Sequence, residues 1–126
     1  MNTQTLALVG AGYWGKNLAR NFYALGALHT LCDAAQATLD SYLPQWPGLR
    51  TTTRFEEVLA DSEITQVAIA VPAVLHYRLA KAALEADKDV FVEKPLCLEL
   101  AEAKALIELA AARHKVLMVG HLLQYH

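Results

Sequence analysis

Apolar runs and helical stripes take turns along the chain. Leu6-Ala7-Leu8-Val9 is an unbroken apolar run, and beyond it Trp14, Leu18, Phe22 and Leu25 recur at helical spacing. This predicts a strand from about Thr5 to Val9 and a helix from about Tyr13 to Leu25, stopped by Gly26. Leu28 to Cys32 predicts a second strand that ends at Asp33. Helix two starts near Ala34, turns Leu39, Tyr42 and Leu43 to one face, and is closed by Pro44 and Pro47. A short strand follows at Arg50 to Thr52. Thr53 and Glu56 then make a capping box for a brief helix carrying Phe55, Val58 and Leu59. Gln66 to Val71 is nearly all apolar, as in a central parallel strand. Pro72 suits the first turn of the next helix, in which Leu75, Leu79, Ala82, Ala83 and Ala86 share a face and Arg78, Lys81 and Glu85 point away. Asp89 to Val92 is strand five. Leu100 to His114 is the last helix, with Leu100, Ala103, Ile107 and Ala110 as its buried stripe, and Lys115 to Val119 is strand six.

Six strands alternating with helices predict an α/β fold, because parallel neighbours need right-handed crossovers and both faces need cover. The expected architecture is a doubly wound parallel six-stranded sheet, the Rossmann fold, in the order 3-2-1-4-5-6 with helices on both faces. The 126 residues make one domain, and an apolar fraction of 55% suits a sheet covered on both sides. A net charge of −2 without a basic cluster argues against nucleic acid. No apolar run reaches membrane-spanning length, and no charged leader precedes an apolar block, so the expected location is cytoplasmic. Cys32 and Cys97 have no metal-ligand spacing, and no metal is expected.

The chemistry centres on Gly10-Ala11-Gly12-Tyr13-Trp14-Gly15, at the turn between strand one and helix one. Gly10 permits the turn, Gly12 admits a pyrophosphate to the backbone, and Gly15 allows close packing of helix and strand. Phosphates would rest on the N–H groups of Tyr13 and Trp14, where the helix dipole favours negative charge. Their side chains either shield the pyrophosphate or simply pack. Ligands of open parallel sheets bind beyond the carboxyl ends of the strands. Asp33, Val71-Pro72 and Glu93-Lys94-Pro95 fall there too. Asp33, about twenty residues past the glycines, is placed to accept from adenosine ribose hydroxyls and to repel a 2′-phosphate, which favours NAD over NADP. The alternative is a plain helix cap. A nucleotide sugar or S-adenosylmethionine also fits a glycine turn followed by an acid.

Glu93-Lys94-Pro95, together with the glycine loop, Ala70-Val71-Pro72, His76 and Val119-Gly120-His121, resembles the glucose–fructose oxidoreductase, inositol dehydrogenase and rhizopine-catabolism (Gfo/Idh/MocA) family. The resemblance covers the whole chain and corresponds to that family's N-terminal NAD-binding domain. Gly12 to Leu18 and Gly120 to His126 look most like bacterial nucleotide-sugar 3-dehydrogenases, which oxidise UDP-N-acetylglucosamine derivatives during polysaccharide biosynthesis.

The resemblance implies a catalytic role for Lys94, beside the nicotinamide and the sugar hydroxyl being oxidised. An ammonium there can hydrogen-bond the substrate oxygen and steady its developing charge. Glu93 would contact the nicotinamide ribose, and Pro95 would fix the turn, its bond to Lys94 open to either isomer. His76 is implied beside the cofactor, with a satisfied surface histidine as the alternative. Gln124 is a further candidate near the nicotinamide or sugar. Three positions depart from the family: Val71 and Glu99 replace a frequent threonine, and Cys97 replaces an alanine. Cys97 is either sensitised by the last helix's N-terminus or packs inertly.

The family places a substrate domain after this point, expected to be absent from this chain and to supply the lysine's partner. The expected whole is an NAD-dependent dehydrogenase that moves a hydride from a sugar carbinol carbon to NAD, of which this chain is a truncated domain expected to bind NAD without turnover. It would be a homo-oligomer at full length. Alternatives are a free-standing NAD(H)-binding module or redox sensor, and an assembly role for an apolar surface.

Overall fold

The structure is a computed structural model describing residues 3–12 and 15–120. Tyr13, Trp14 and Gln124 lie outside the described residues. The strands are β1 (Leu6–Val9), β2 (Leu28–Cys32), β3 (Arg50–Thr52), β4 (Gln66–Ile69), β5 (Asp89–Glu93) and β6 (Leu117–Gly120). They form one sheet in the expected order, β3-β2-β1-β4-β5-β6, with every pairing parallel. Between them run α1 (Lys16–Ala24), α2 (Gln36–Asp40), α3 (Phe55–Ala60), α4 (His76–Glu85) and α5 (Leu100–Arg113), with a 3-10 turn at Ala73–Leu75 before α4.

Side chains of β1 alternate between two cores, as the pleat requires. Ala7 and Val9 join Val58 of α3, Leu79 and Leu84 of α4, and Leu106 of α5. Leu6 and Leu8 join Leu18 and Ala19 of α1 and Leu39 of α2. Each fully buried leucine stabilises the fold by about 1.5–3 kcal/mol, so these two layers dominate the energetics. Toward β5 and β6 the second face opens into a cleft of about 310 Å³ walled by Phe22, Phe91 and Met118 among others. Met118 is left 53% exposed there.

Gly26 ends α1 in the left-handed region at φ 73°, with Gly26 N–H donating to Tyr23 O and Ala27 N–H to Phe22 O, both 3.0 Å. The same pair of bonds closes α4 around Asp87 (φ 62°) and α5 around His114 (φ 56°), without glycine.

Several expectations need correction. The stripe on α5 is rotated: Leu106 and Ala110 are buried, whereas Leu100 is 78% and Ile107 58% exposed. Alanine and leucine populate nearly every side of that helix, so spacing did not single out a face. The capping box at Thr53 does not form, because α3 starts one residue later, with Arg54 at the N-cap. Thr52 replaces it, its hydroxyl accepting from Arg54 N–H at 3.0 Å and donating to Glu57 Oε1 at 2.7 Å. Helix two is shorter than expected and gives way to turns that bury Trp46, stacked on Tyr23 with ring centroids 4.3 Å apart.

The amino ends of the strands hold a second polar group, unforeseen from the sequence. Lys88, just before β5, is buried and donates to Asp61 O at 2.7 Å and Ile64 O at 2.6 Å. Burial holds its pKa below the ordinary lysine value, with the Asp61 and Asp87 charges opposing. His29, also buried, meets Thr30 Oγ1 through Nδ1 at 2.7 Å and Glu63 Oε1 through Nε2 at 3.0 Å.

Candidate functional site

Parallel register aligns the carboxyl ends of the strands. Val9 pairs with both Cys32 and Ile69, Ile69 with Val92, and Val92 with Val119. The residues just beyond are locked by main-chain bonds: Gly10 N–H to Cys32 O, Ala70 N–H to Val9 O and Lys94 N–H to Gly120 O, each 2.8 Å. Gly10, Asp33, Ala70 and Glu93 thus occupy one rim.

The three glycines of the loop differ in their surroundings. Gly10 has φ 106°, and a Cβ there would lie 2.3 Å from Ala70 O. A Cβ on Gly15 would lie 1.7 Å from Gly10 O, so the close approach is of the loop to itself rather than of helix to strand. Among the described residues, a Cβ on Gly12 would meet no atom beyond its chain neighbours within 4 Å. Gly10 and Gly15 are needed to build the turn, while Gly12 leaves open space above it.

Asp33 sits beside this loop. Its Oδ1 accepts from Ala11 N–H at 2.8 Å and its Oδ2 from Ala35 N–H at 2.9 Å. Helix α2 begins at Gln36 with Ala35 at the N-cap and no side-chain cap, so the helix-cap alternative for Asp33 does not hold. Each carboxylate oxygen keeps a lone pair for a further donor. The Tyr42 hydroxyl donates to Ala11 O, clamping the loop from its other side, a role the sequence did not signal. Burial, then the Asp33 charge, push the Tyr42 pKa up, with Arg20 opposing.

Next along the rim, a cleft of about 290 Å³ lies between the β4 and β5 exits. Ala70, Val71, Pro72 and Ala73 line it with His76, Glu93, Lys94 and Pro95, so the expected residues of both exits come together here. Lys94 is exposed and Glu93 half-buried. The Lys94–Pro95 bond is cis.

His76 is no surface histidine. It is 2% exposed, with Nδ1 2.7 Å from Pro95 O and Nε2 2.8 Å from Val71 O. Each ring nitrogen thus faces a main-chain carbonyl, one from either side of the cleft. Cys97 is not sensitised either: burial, and then Glu102, push its thiol pKa up. Among the described residues, His29, Asp61 and Glu63 bring three potential metal-ligand atoms within 4.8 Å of one another. They lie at the opposite end of the strands from the cleft, and His29 already has a partner on each ring nitrogen.

Comparison with known proteins identifies the family to which this fold belongs. A UDP-N-acetylglucosamine 3-dehydrogenase of Acidithiobacillus ferrooxidans is 30% identical over 124 residues, which cover 94% of this chain and 37% of that protein. The crystal structure of GenD2 from gentamicin A biosynthesis in complex with NAD superposes with a TM-score of 0.87 at 31% identity, covering 95% of this chain and 35% of that one. Biliverdin reductase from Synechocystis, solved with biliverdin and NADP+, superposes with a TM-score of 0.83 at 31% identity, covering 93% and 37%. The chain therefore spans a little over a third of the length of these relatives. Residues 5–121 match the family model described as an oxidoreductase family, NAD-binding Rossmann fold, and the chain belongs to that Gfo/Idh/MocA family.

Proposed function

We propose that this chain is the NAD-binding domain of a sugar or nucleotide-sugar dehydrogenase. The observation that carries the reading is the shared rim, where the open side of Gly12, the Asp33 carboxylate and the Lys94 cleft follow one another. The residues present fit a dinucleotide: the pyrophosphate fills the space that a Cβ on Gly12 would take, and Asp33 has lone pairs left for a ribose. In this reading the cleft takes the nicotinamide half, with Glu93 on its ribose and the Val71-Pro72 exit against the ring.

Bound NAD supplies the hydride acceptor. Lys94 holds the substrate hydroxyl and stabilises negative charge as its proton leaves. The proton acceptor and the sugar pocket belong to a substrate domain beyond this chain. The similarity to the UDP-N-acetylglucosamine 3-dehydrogenase supports a nucleotide sugar as substrate.

Calorimetric titration with NAD and NADP, and absorbance at the NADH band with UDP-N-acetylglucosamine added, test the reading. Saturable binding that favours NAD, without sugar oxidation by this chain alone, is expected. Preference for NADP overturns the Asp33 assignment, and robust oxidation overturns the need for a second domain.

A further inference from the structure

We propose that His76 is a positioning residue that sets the width of the nicotinamide end of the cleft; this rests on the NAD reading given above. The two carbonyls it meets, those of Val71 and Pro95, belong to opposite walls of the cleft, one at the β4 exit and one at the β5 exit. A carbonyl oxygen only accepts and a neutral imidazole carries one N–H, so the ring donates to the carbonyl of one wall and packs its other nitrogen against the carbonyl of the opposite wall, bridging the two. The ring is itself held. Its residue opens α4 directly after the 3-10 turn, where Leu75 N–H donates to Pro72 O at 3.0 Å. At 2% exposure the ring is sealed from water, which would otherwise compete for both carbonyls.

The arrangement separates the two halves of the dinucleotide. Among the described residues, the glycine loop and Asp33 hold their geometry through Cys32, Ala70 and Tyr42, with no bond to His76. Loosening His76 therefore disturbs the Lys94 side of the rim and leaves the adenosine side intact.

The test compares NADH with ADP-ribose, which lacks the nicotinamide, on wild-type chain and on His76→Ala. NADH affinity is expected to fall about tenfold and ADP-ribose affinity to stay within about twofold. The fluorescence enhancement of bound NADH, which reports the nicotinamide environment, should fall with it. His76→Gln keeps one donor and much of the volume, and should lose about threefold toward NADH alone, which gives the reading even where the alanine variant does not fold. Equal loss of both ligands, no loss of either, or a wild-type chain that binds ADP-ribose as tightly as NADH overturns the proposal. A wild-type chain that binds neither ligand overturns the NAD reading instead.

Discussion

The carboxylate of Asp33 accepts the N–H of Ala11 at 2.8 Å, joining the tip of β2 to the glycine loop across 22 residues of sequence. That side chain braces the glycine loop and, in the NAD reading proposed above, also offers acceptors to a ribose. Replacing it with alanine should cost stability as well as affinity, about 1–3 kcal/mol for the Ala11 and Ala35 donors left without partners. Asp33→Asn keeps an acceptor for Ala11 but turns an N–H₂ toward Ala35 or the ribose. NAD affinity should fall and the preference over NADP narrow, as read by paired titrations. An unchanged NAD-to-NADP ratio would remove Asp33 from cofactor choice.

Gly12 and Gly15 separate folding from binding. On Gly15 a methyl group meets Gly10 O at 1.7 Å, so Gly15→Ala should destabilise by about 1–3 kcal/mol or more as the loop is forced open. On Gly12 a methyl meets nothing among the described residues beyond its chain neighbours, so Gly12→Ala should leave the stability within about 0.5 kcal/mol of wild type. Its NAD affinity should drop all the same, because the methyl occupies the phosphate's space. Thermal melts with and without NAD distinguish the pair, and full NAD binding by Gly12→Ala would count against the cradle.

Lys94 is exposed and its side chain does not hold the loop together, so Lys94→Ala should fold normally. NAD affinity should barely move in this chain. In a protein carrying the substrate domain, turnover should fall by about 10²–10⁴-fold. Wild-type turnover in that variant would take Lys94 out of the mechanism.

The Cys32 thiol gives a signal in alkali. Burial first, then Asp33, Glu56 and Glu57, push its pKa from 9.0 up to about 11. A folded pKa above the unfolded one means that its stabilising contribution is complete below pH 9 and is lost as pH rises through about 11. The loss approaches about 2–3 kcal/mol. Urea midpoints of wild type and Cys32→Ala between pH 8 and 11 isolate it, since every other group is common to both. The two stability curves should converge above pH 9; parallel curves would clear the thiol of any part.

The strand order and the rim were legible because they depend on local pattern. Apolar runs of four to six residues mark buried parallel strands, and glycines, an acid and a lysine at their ends mark the side where ligands sit. What the pattern left out is tertiary hydrogen bonding. Nothing near Tyr42 announces that its hydroxyl reaches Ala11, and nothing near Lys88 announces two carbonyls from the α3–β4 connection. His76 was singled out by resemblance, but its burial and its two carbonyl partners emerged only when Val71 and Pro95 came together in space. The face of α5 was misread for a different reason: a helix rich in alanine and leucine has no polar side against which to judge the buried one.

Lys88 and His29 stand at the amino ends of the strands, a full strand length from the glycine loop and the Lys94 cleft. Robustness and ligand choice are thereby lodged in different places. Sequence drift can strengthen or weaken the base of this sheet while the opposite edge is reshaped for new substrates, and neither change need disturb the other.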